Sequence, residues 1–509
     1  EMVMGRDKMK SLSRRAFLGG AMSAVAGVAI ADAPLRSLRP VARNNAAIRA
    51  ASNIPPLARA SAAEMIAEAN LGGTVGFVVA DARTGAILED TDGALPLPPA
   101  SVAKAVTALY ALDRLSSQHA FETRIIADGP ISGGILDGNL ILAGGGDPTL
   151  STDHLAEIAA KLKETGLREV RGSFQVWGGA LPYVNEIEPD QLDHLGYNPA
   201  LSGLNLNFNR VHFEWARSGS DYRVTMDARS ELYRPDVSMS RMRVERRDAP
   251  TYVYADGGSF DDWSVARPAL GTGGARWLPV RKPALYAGDV FATMARSQGI
   301  VLSAAEEITD LPDGEVLVSH NSAELSDILQ DMLQYSTNLT AEIAGLSATQ
   351  AGSAGLTTHA ASARAMGNWL AATHGVRAQF ADHSGLSDAS RISAMKMVQV
   401  LVSAGVSGPL RPMLKDIPIV DEDRNALPDY PATVVAKTGT LNFVSCLAGY
   451  VRTAGGVDLA FAIFAANLDQ REAAKTRGDE VPEGSRAWNG RAKQLQQRLL
   501  QRWGLVYAS

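Results

Sequence analysis

Three short patterns, in a fixed order along this 509-residue chain, hold the side chains best suited to chemistry. They are Ser101 with Lys104, Ser336 with Asn338, and Lys437, Thr438 and Gly439 followed by Thr440. A serine hydroxyl is a weak nucleophile until a neighbouring base takes its proton. A lysine three positions further along a helix lies on the same face and can reach that hydroxyl. Ser336 and Asn338 add a second hydroxyl and an amide. Lys437 and Thr438 add a cation and a hydroxyl on a strand that ends in glycine. Together they make a kit for covalent acyl transfer at a serine. Each pattern alone is short enough to arise by chance. A second Ser-x-x-Lys, Ser393 with Lys396, reads as a plain helix face.

The elements that must position these groups are legible in outline. Pro98, Pro99 and Ala100 close an extended stretch, which places Ser101 to cap a helix running through Ala105, Leu109 and Leu112. Residues 433–436 form a strand pattern leading into Lys437. Residues 447–451 and 457–464, joined by a turn at 454–456, read as its antiparallel neighbours. A hairpin is expected over 74–80 and 86–89, after a short helix over 61–70. A final helix over 485–501 places Trp488, Leu495 and Leu499 on one side, to cover the sheet.

The middle differs. From about 144 to 282 the chain carries many short strand-like runs, such as 173–177 and 210–215, separated by Gly, Pro and Asp turns. One helix is expected over 154–165, and helical pattern returns over 287–298 and from 325 towards Ser336. The reading is a catalytic domain in two parts, 57–143 and 285–509, interrupted by a β-rich insertion over 144–284.

Composition sets bounds on function. With 46% hydrophobic and 20% charged residues the chain is an ordinary globular mix, long enough for two or three domains. A formal net charge of -6 argues against nucleic acid as a partner. The eight histidines form no His-Glu-x-x-His pattern, so no metal is expected, and no nucleotide-binding glycine pattern or other cofactor signature follows a strand. His320 and His383 read as polar surface or loop residues. No Gly-x-Ser-x-Gly elbow supports a Ser-His-Asp hydrolase. The single cysteine, Cys446, reads as a small buried hydrophobe on a strand.

Residues 1–33 read as an export signal. Arg6, Lys8, Lys10, Arg14 and Arg15 precede a mild apolar stretch, and Ala31, Asp32 and Ala33 offer small residues for cleavage. The run from Ser13 to Leu18 resembles a twin-arginine signal. Residues 34–56, with Arg36, Arg39, Arg43 and Arg49, read as a disordered basic linker. No other segment approaches a spanning length, so a periplasmic or extracytoplasmic protein without a stable membrane span is expected.

Beyond the three motifs, longer stretches resemble the D-alanyl-D-alanine carboxypeptidase/endopeptidase family of low-molecular-mass penicillin-binding proteins, the class with a large insertion after the Ser-x-x-Lys helix. They are residues 138–150, 200–209, 382–387, 437–441 and 447–450. The resemblance covers most of the chain from about Pro55. It implies an α+β fold of the penicillin-binding and serine β-lactamase type, an antiparallel sheet flanked by helices. It also implies peptidoglycan stem peptides as substrate and β-lactams as covalent inhibitors. Ser101 would be the nucleophile, Lys104 the base and Ser336 a proton relay. Asn338 would hold a substrate amide, and Lys437, Thr438 and Thr440 would cradle the terminal carboxylate, with Gly439 leaving room. Two positions depart from the family pattern: Thr337, expected to point away from the site, and His383, which stands where glycine is common and is expected to alter the loop or to add a group near the substrate. A serine β-lactamase or esterase on the same core, and a non-catalytic peptidoglycan-binding protein, remain as alternatives.

Overall fold

A computed structural model describes residues 61–352, 355 and 357–507. The expected signal over 1–33 and linker over 34–56 lie outside the described residues.

Residues with strong strand propensity assemble into a six-stranded antiparallel sheet in the order Lys415–Asp416, Thr433–Leu441, Val444–Arg452, Asp458–Ala466, Thr74–Asp81 and Ile87–Thr91. The middle strands are buried along nearly their whole length. Their side chains alternate between two apolar layers. Cys446, Ala448, Tyr450, Ala462 and Phe464 face one layer, whereas Leu447, Val451, Phe461 and Ile463 face the other. A sheet that is apolar on both faces requires helices on both faces. On the first lie Ala103–Leu115, Leu325–Tyr335, Asn338–Ala351, His359–His374 and Ala394–Ala404; on the second lie Ala62–Ala69 and Ser485–Val506. The expected hairpin and the three antiparallel neighbours are present, and the last helix runs five residues beyond its expected end. Cys446 is buried on its strand, and burial pushes its thiol up and out of reach of ionisation.

A second body lies between the Ser101 helix and the Ser336 region. Its five-stranded sheet runs Glu306–Glu307, Phe174–Trp177, Leu140–Gly144, Glu122–Ala127 and Glu315–Asn321. Helices Thr152–Glu164 and Pro283–Ser297 pack on it through Leu155, Ile158, Tyr286 and Phe291. Three three-stranded sheets complete the body. Its main sheet draws strands from outside both ends of the 144–284 span, because Leu140–Gly144 pairs in parallel with Phe174–Trp177 and Glu315–Asn321 pairs with Glu122–Ala127. Among the described residues, no helix is long and apolar enough to cross a membrane.

Trp503 fixes the last helix to the sheet. It is fully buried, with ring centroids 5.6 Å from Phe77 and 5.8 Å from Phe461. Trp503→Ala should cost about 3–5 kcal/mol of unfolding free energy through lost burial and the cavity it leaves. Urea denaturation checks this, and a midpoint equal to wild type would show that the helix is not docked as described.

Candidate active site

Ser101 sits in a single 3-10 turn, Ala100–Val102, that runs directly into the helix Ala103–Leu115. The expectation that Ser101 caps this helix is not met. Val102 is the capping position, with helical backbone angles and no side-chain cap bond. The Ser101 hydroxyl is thereby left for another partner. The turn is pressed from two sides. A Cβ at Gly439 would come within 2.7 Å of the Pro99 carbonyl oxygen and 3.0 Å of the Ser101 nitrogen. One at Gly385 would lie 1.8 Å from the Ala100 oxygen. Only glycine permits both approaches. Ala100 itself adopts φ 47°, a strained angle that the surrounding contacts must hold.

Lys104 follows one turn later and is completely buried. Its amine meets three oxygens: Ser101 Oγ at 2.9 Å, Asn338 Oδ1 at 2.8 Å and the Ser384 carbonyl at 2.8 Å. The Asn338 amide is oriented by its own nitrogen, which donates to the Tyr197 carbonyl at 2.9 Å. Burial pulls the Lys104 pKa down to about 7, and the Asp382 and Glu342 carboxylates oppose part of that fall. The geometry then decides where a neutral amine directs its lone pair. Asn338 Oδ1 and the Ser384 carbonyl can only accept, so both N–H bonds of the neutral amine go to them. The lone pair is left facing Ser101 Oγ, the one partner that can donate.

The second and third motifs meet beside this group. Ser336 ends the helix Leu325–Tyr335 in a left-handed conformation, φ 59°, and Thr337 occupies the cap of the helix begun by Asn338. Two adjoining helices thus present Ser336 and Asn338 from their junction. Lys437 is buried and donates to Ser336 Oγ at 3.0 Å and to the Thr438 carbonyl at 2.8 Å. Burial holds its pKa well below the ordinary lysine value, and repulsion from Lys104 and Lys415 adds to the effect. The short strand Lys415–Asp416 pairs only as far as Ala436, so residues 437–441 keep a free edge beside Ser101. Thr438 and Thr440, both half-buried, share the strand face opposite Lys437 and Gly439. The structure therefore brings Ser101, Lys104 and Asn338 into one hydrogen-bonded group and Ser336 with Lys437 into a second, with Gly439 beside the Ser101 turn.

Sequence reasoning missed what lies beneath. Glu342, four residues after Asn338 and so on the same helical face, is fully buried. It accepts from His359 Nε2 at 2.8 Å and from the backbone nitrogens of Ser384 at 2.8 Å and His383 at 3.0 Å. Asp382 is also buried; burial and the Glu342 charge raise its pKa to about 7. The Glu342 spacing from Asn338 was a usable signal. His359 carried none.

His383 is no surface residue. It is fully buried, its ring donating to or accepting from Ser362 Oγ at 2.8 Å and stacked on Tyr110 with centroids 6.5 Å apart. Burial lowers its pKa to about 4, so the ring is neutral near pH 7. It fills the interior under the loop and is not a group facing substrate. His320 is likewise not on the surface: it shares the inward side of the Glu315–Asn321 strand with Val318. Elsewhere, His212, Glu214 and Asp227 come close enough to hold an ion, but the Arg229 guanidinium already binds both carboxylates, at 2.8 Å and 2.6 Å. The expected bland reading of Lys396 agrees with its contacts: Ser393 caps the helix Ala394–Ala404 by accepting from the Lys396 backbone nitrogen, and the lysine amine donates to the Arg377 carbonyl.

The buried imidazole has a consequence for its neighbour. A Cβ at Gly345 would stand 2.2 Å from His383 Cγ. Replacing a helical glycine by alanine ordinarily gains up to about 1 kcal/mol. Here Gly345→Ala should instead lose about 1–3 kcal/mol by overpacking. Thermal melting checks the sign, and a raised Tm would contradict the placement of His383.

Comparison with known proteins identifies the family. Residues 58–483 match the family model described as D-Ala-D-Ala carboxypeptidase 3 (S13). The chain is 30% identical over 475 residues to a D-alanyl-D-alanine carboxypeptidase of Actinomadura sp. (strain R39), covering 82% of this chain and 84% of that one. It is 25% identical over 439 residues to the D-alanyl-D-alanine carboxypeptidase DacB of Haemophilus influenzae, covering 81% and 89%. Among solved structures, penicillin binding protein 4 (dacB) from Haemophilus influenzae superposes with a TM-score of 0.69 at 20% identity, over 87% of this chain and 99% of that one. The span of the family match and the 30% identity to a carboxypeptidase mean that this α+β chain belongs to the D-Ala-D-Ala carboxypeptidase 3 (S13) family.

Proposed function

We propose that this chain is a serine D,D-peptidase that cleaves D-Ala-D-Ala stems and/or cross-links of peptidoglycan through an acyl-enzyme on Ser101. The observation that carries this reading is the buried Lys104 amine, 2.9 Å from Ser101 Oγ, with its other two partners able only to accept.

The reaction then runs in two halves. Ser101 Oγ attacks the carbonyl carbon between the two D-alanines while its proton passes to Lys104 Nζ. The oxyanion is held by the backbone N–H groups of Ser101 and Thr440. The C–N bond breaks as the departing amine takes a proton relayed through Ser336, and free D-Ala or, from a cross-link, the strand that bears this amine leaves. Water then attacks the ester and restores Ser101. Burial disfavours the charge on Lys437, and neither of its partners, Ser336 Oγ and the Thr438 carbonyl, carries a charge, so the substrate carboxylate supplies the counter-ion while Thr438 and Thr440 offer hydroxyls from the other face of the strand. Asn338 holds the substrate amide. The free edge over 437–441 gives the peptide a strand to pair with, and Gly439 leaves the space it needs. A β-lactam enters the same path and stays as the acyl-enzyme.

A catalytic domain interrupted by an inserted body belongs to this proposal, with the body drawn wider than the expected 144–284, from about 122 to 321, to keep its main sheet whole. The contact of Tyr197 with Asn338 supports a role for the insertion at the mouth of the site. A cell-wall substrate places the work outside the cytoplasm, and the paired Arg14 and Arg15 support export by a twin-arginine route.

Two experiments test the reading. Intact mass after brief exposure to benzylpenicillin should show one adduct that maps to Ser101 and is absent from Ser101→Ala. Rapid drug hydrolysis without an adduct would point to a β-lactamase, and no reaction at all to a binding protein. The acylation rate should also follow the neutral form of Lys104. Below its pKa of about 7 the amine carries a proton and cannot take another, so the rate should fall about tenfold per pH unit. A rate that stays flat from pH 8 to pH 5 would remove Lys104 from the base role.

A further inference from the structure

We propose that Glu342 is a positioning residue for the reaction: its buried carboxylate, paired with His359, fixes the backbone of the 382–387 loop so that the Ser384 carbonyl holds Lys104 Nζ in line with Ser101. The inference rests on Lys104 acting as the base at Ser101.

The argument is one of peptide planes. The plane joining His383 to Ser384 is held at both ends. Thr107 Oγ1 donates to the His383 carbonyl at 2.6 Å, and Glu342 Oε1 accepts from the Ser384 nitrogen at 2.8 Å. The next plane carries the Ser384 carbonyl that meets Lys104 at 2.8 Å, and its far end, the Gly385 nitrogen, donates to Asp382 Oδ1 at 2.7 Å. With both planes flanking Ser384 clamped, the carbonyl direction has no free torsion left. Glu342 Oε2 also takes the His383 nitrogen at 3.0 Å and faces His359 Nε2 at 2.8 Å.

A carboxylate buried this deeply persists only when its lone pairs are filled by donors and its charge is matched. Burial opposes charge on both partners, yet the pairing holds Glu342 ionised and raises the His359 pKa. The other titratable groups facing this cluster are Asp382, His383, Lys104 and Glu188. Glu342 touches neither Ser101 nor the space beside it. Its effect on chemistry passes through Ser384 and Lys104.

A positioning role differs from a merely structural one in what is lost. A structural defect lowers the number of competent sites, whereas misaimed lysine lowers the rate at every competent site. The test is stopped-flow acylation by a chromogenic cephalosporin, with sites counted by benzylpenicillin titration, on the wild type, Glu342→Gln and Glu342→Asp. Gln turns an N–H donor towards one of the two backbone N–H groups. The acylation rate constant per titrated site should therefore drop at least tenfold, while the encounter affinity stays within twofold. Asp keeps the charge and should recover part of the rate. An unchanged rate constant per site, with any loss confined to the number of sites, would overturn the proposal. Should Glu342→Gln yield no folded protein, His359→Gln removes the ring nitrogen that pairs with the carboxylate. It should lower the same rate constant at least threefold, and no change there would overturn the proposal as well. The wild-type adduct on Ser101 keeps the two readings apart. Its absence sinks the acyl-enzyme, and its presence with an unaltered variant rate sinks only Glu342.

Discussion

The structure turns on one buried amine. Lys104 has been taken wholly out of water into a pocket where three oxygens surround it. A lysine in water is a cation near neutral pH and useless as a base. Burial alone would favour its neutral form, and unmatched burial would be ruinous for stability. The pocket meets both demands: the carbonyl and amide oxygens satisfy the amine in either protonation state, and the more distant Asp382 and Glu342 limit how far its pKa falls. Ser101 is then the one neighbour able to exchange a proton with it.

The sheet explains how the walls reach so close. Helices cover both of its faces, so the Ser101 turn is wedged between the Lys437 strand and the 382–387 loop, and glycine stands at both contacts. Small side chains recur around the same helix, at Ala103, Ala105, Ala108 and Ala111, and the helix Asn338–Ala351 packs against it. That approach is what carries Asn338 and Glu342 within reach of Lys104 and the loop beneath. Close packing and chemistry are here one requirement.

The sequence revealed the parts whose signals are local. Short apolar runs within 433–466, separated by turn residues, marked the strands, and the spacing of Ser101 and Lys104 marked the shared helical face. What it could not reveal depends on contacts between distant segments. His383 looks polar and loop-borne, yet a glycine 38 positions earlier, Gly345, opens the space that buries its ring. Glu342 looks like a solvated helix charge until His359 and two backbone N–H groups arrive from other elements. Ser101 carried a good capping signal, but the chain gave the cap to Val102 and kept the hydroxyl for Lys104. Local propensity and tertiary demand part company at the residues that do chemistry.

The central claim is that Lys104 exchanges its proton near neutral pH. It is tested most directly by nitrogen-15 NMR titration of the lysine side chains, with Lys104→Arg used to assign the signal. The account predicts that the Lys104 Nζ resonance titrates with a midpoint near 7. An ammonium signal that persists unchanged above pH 9 would contradict it.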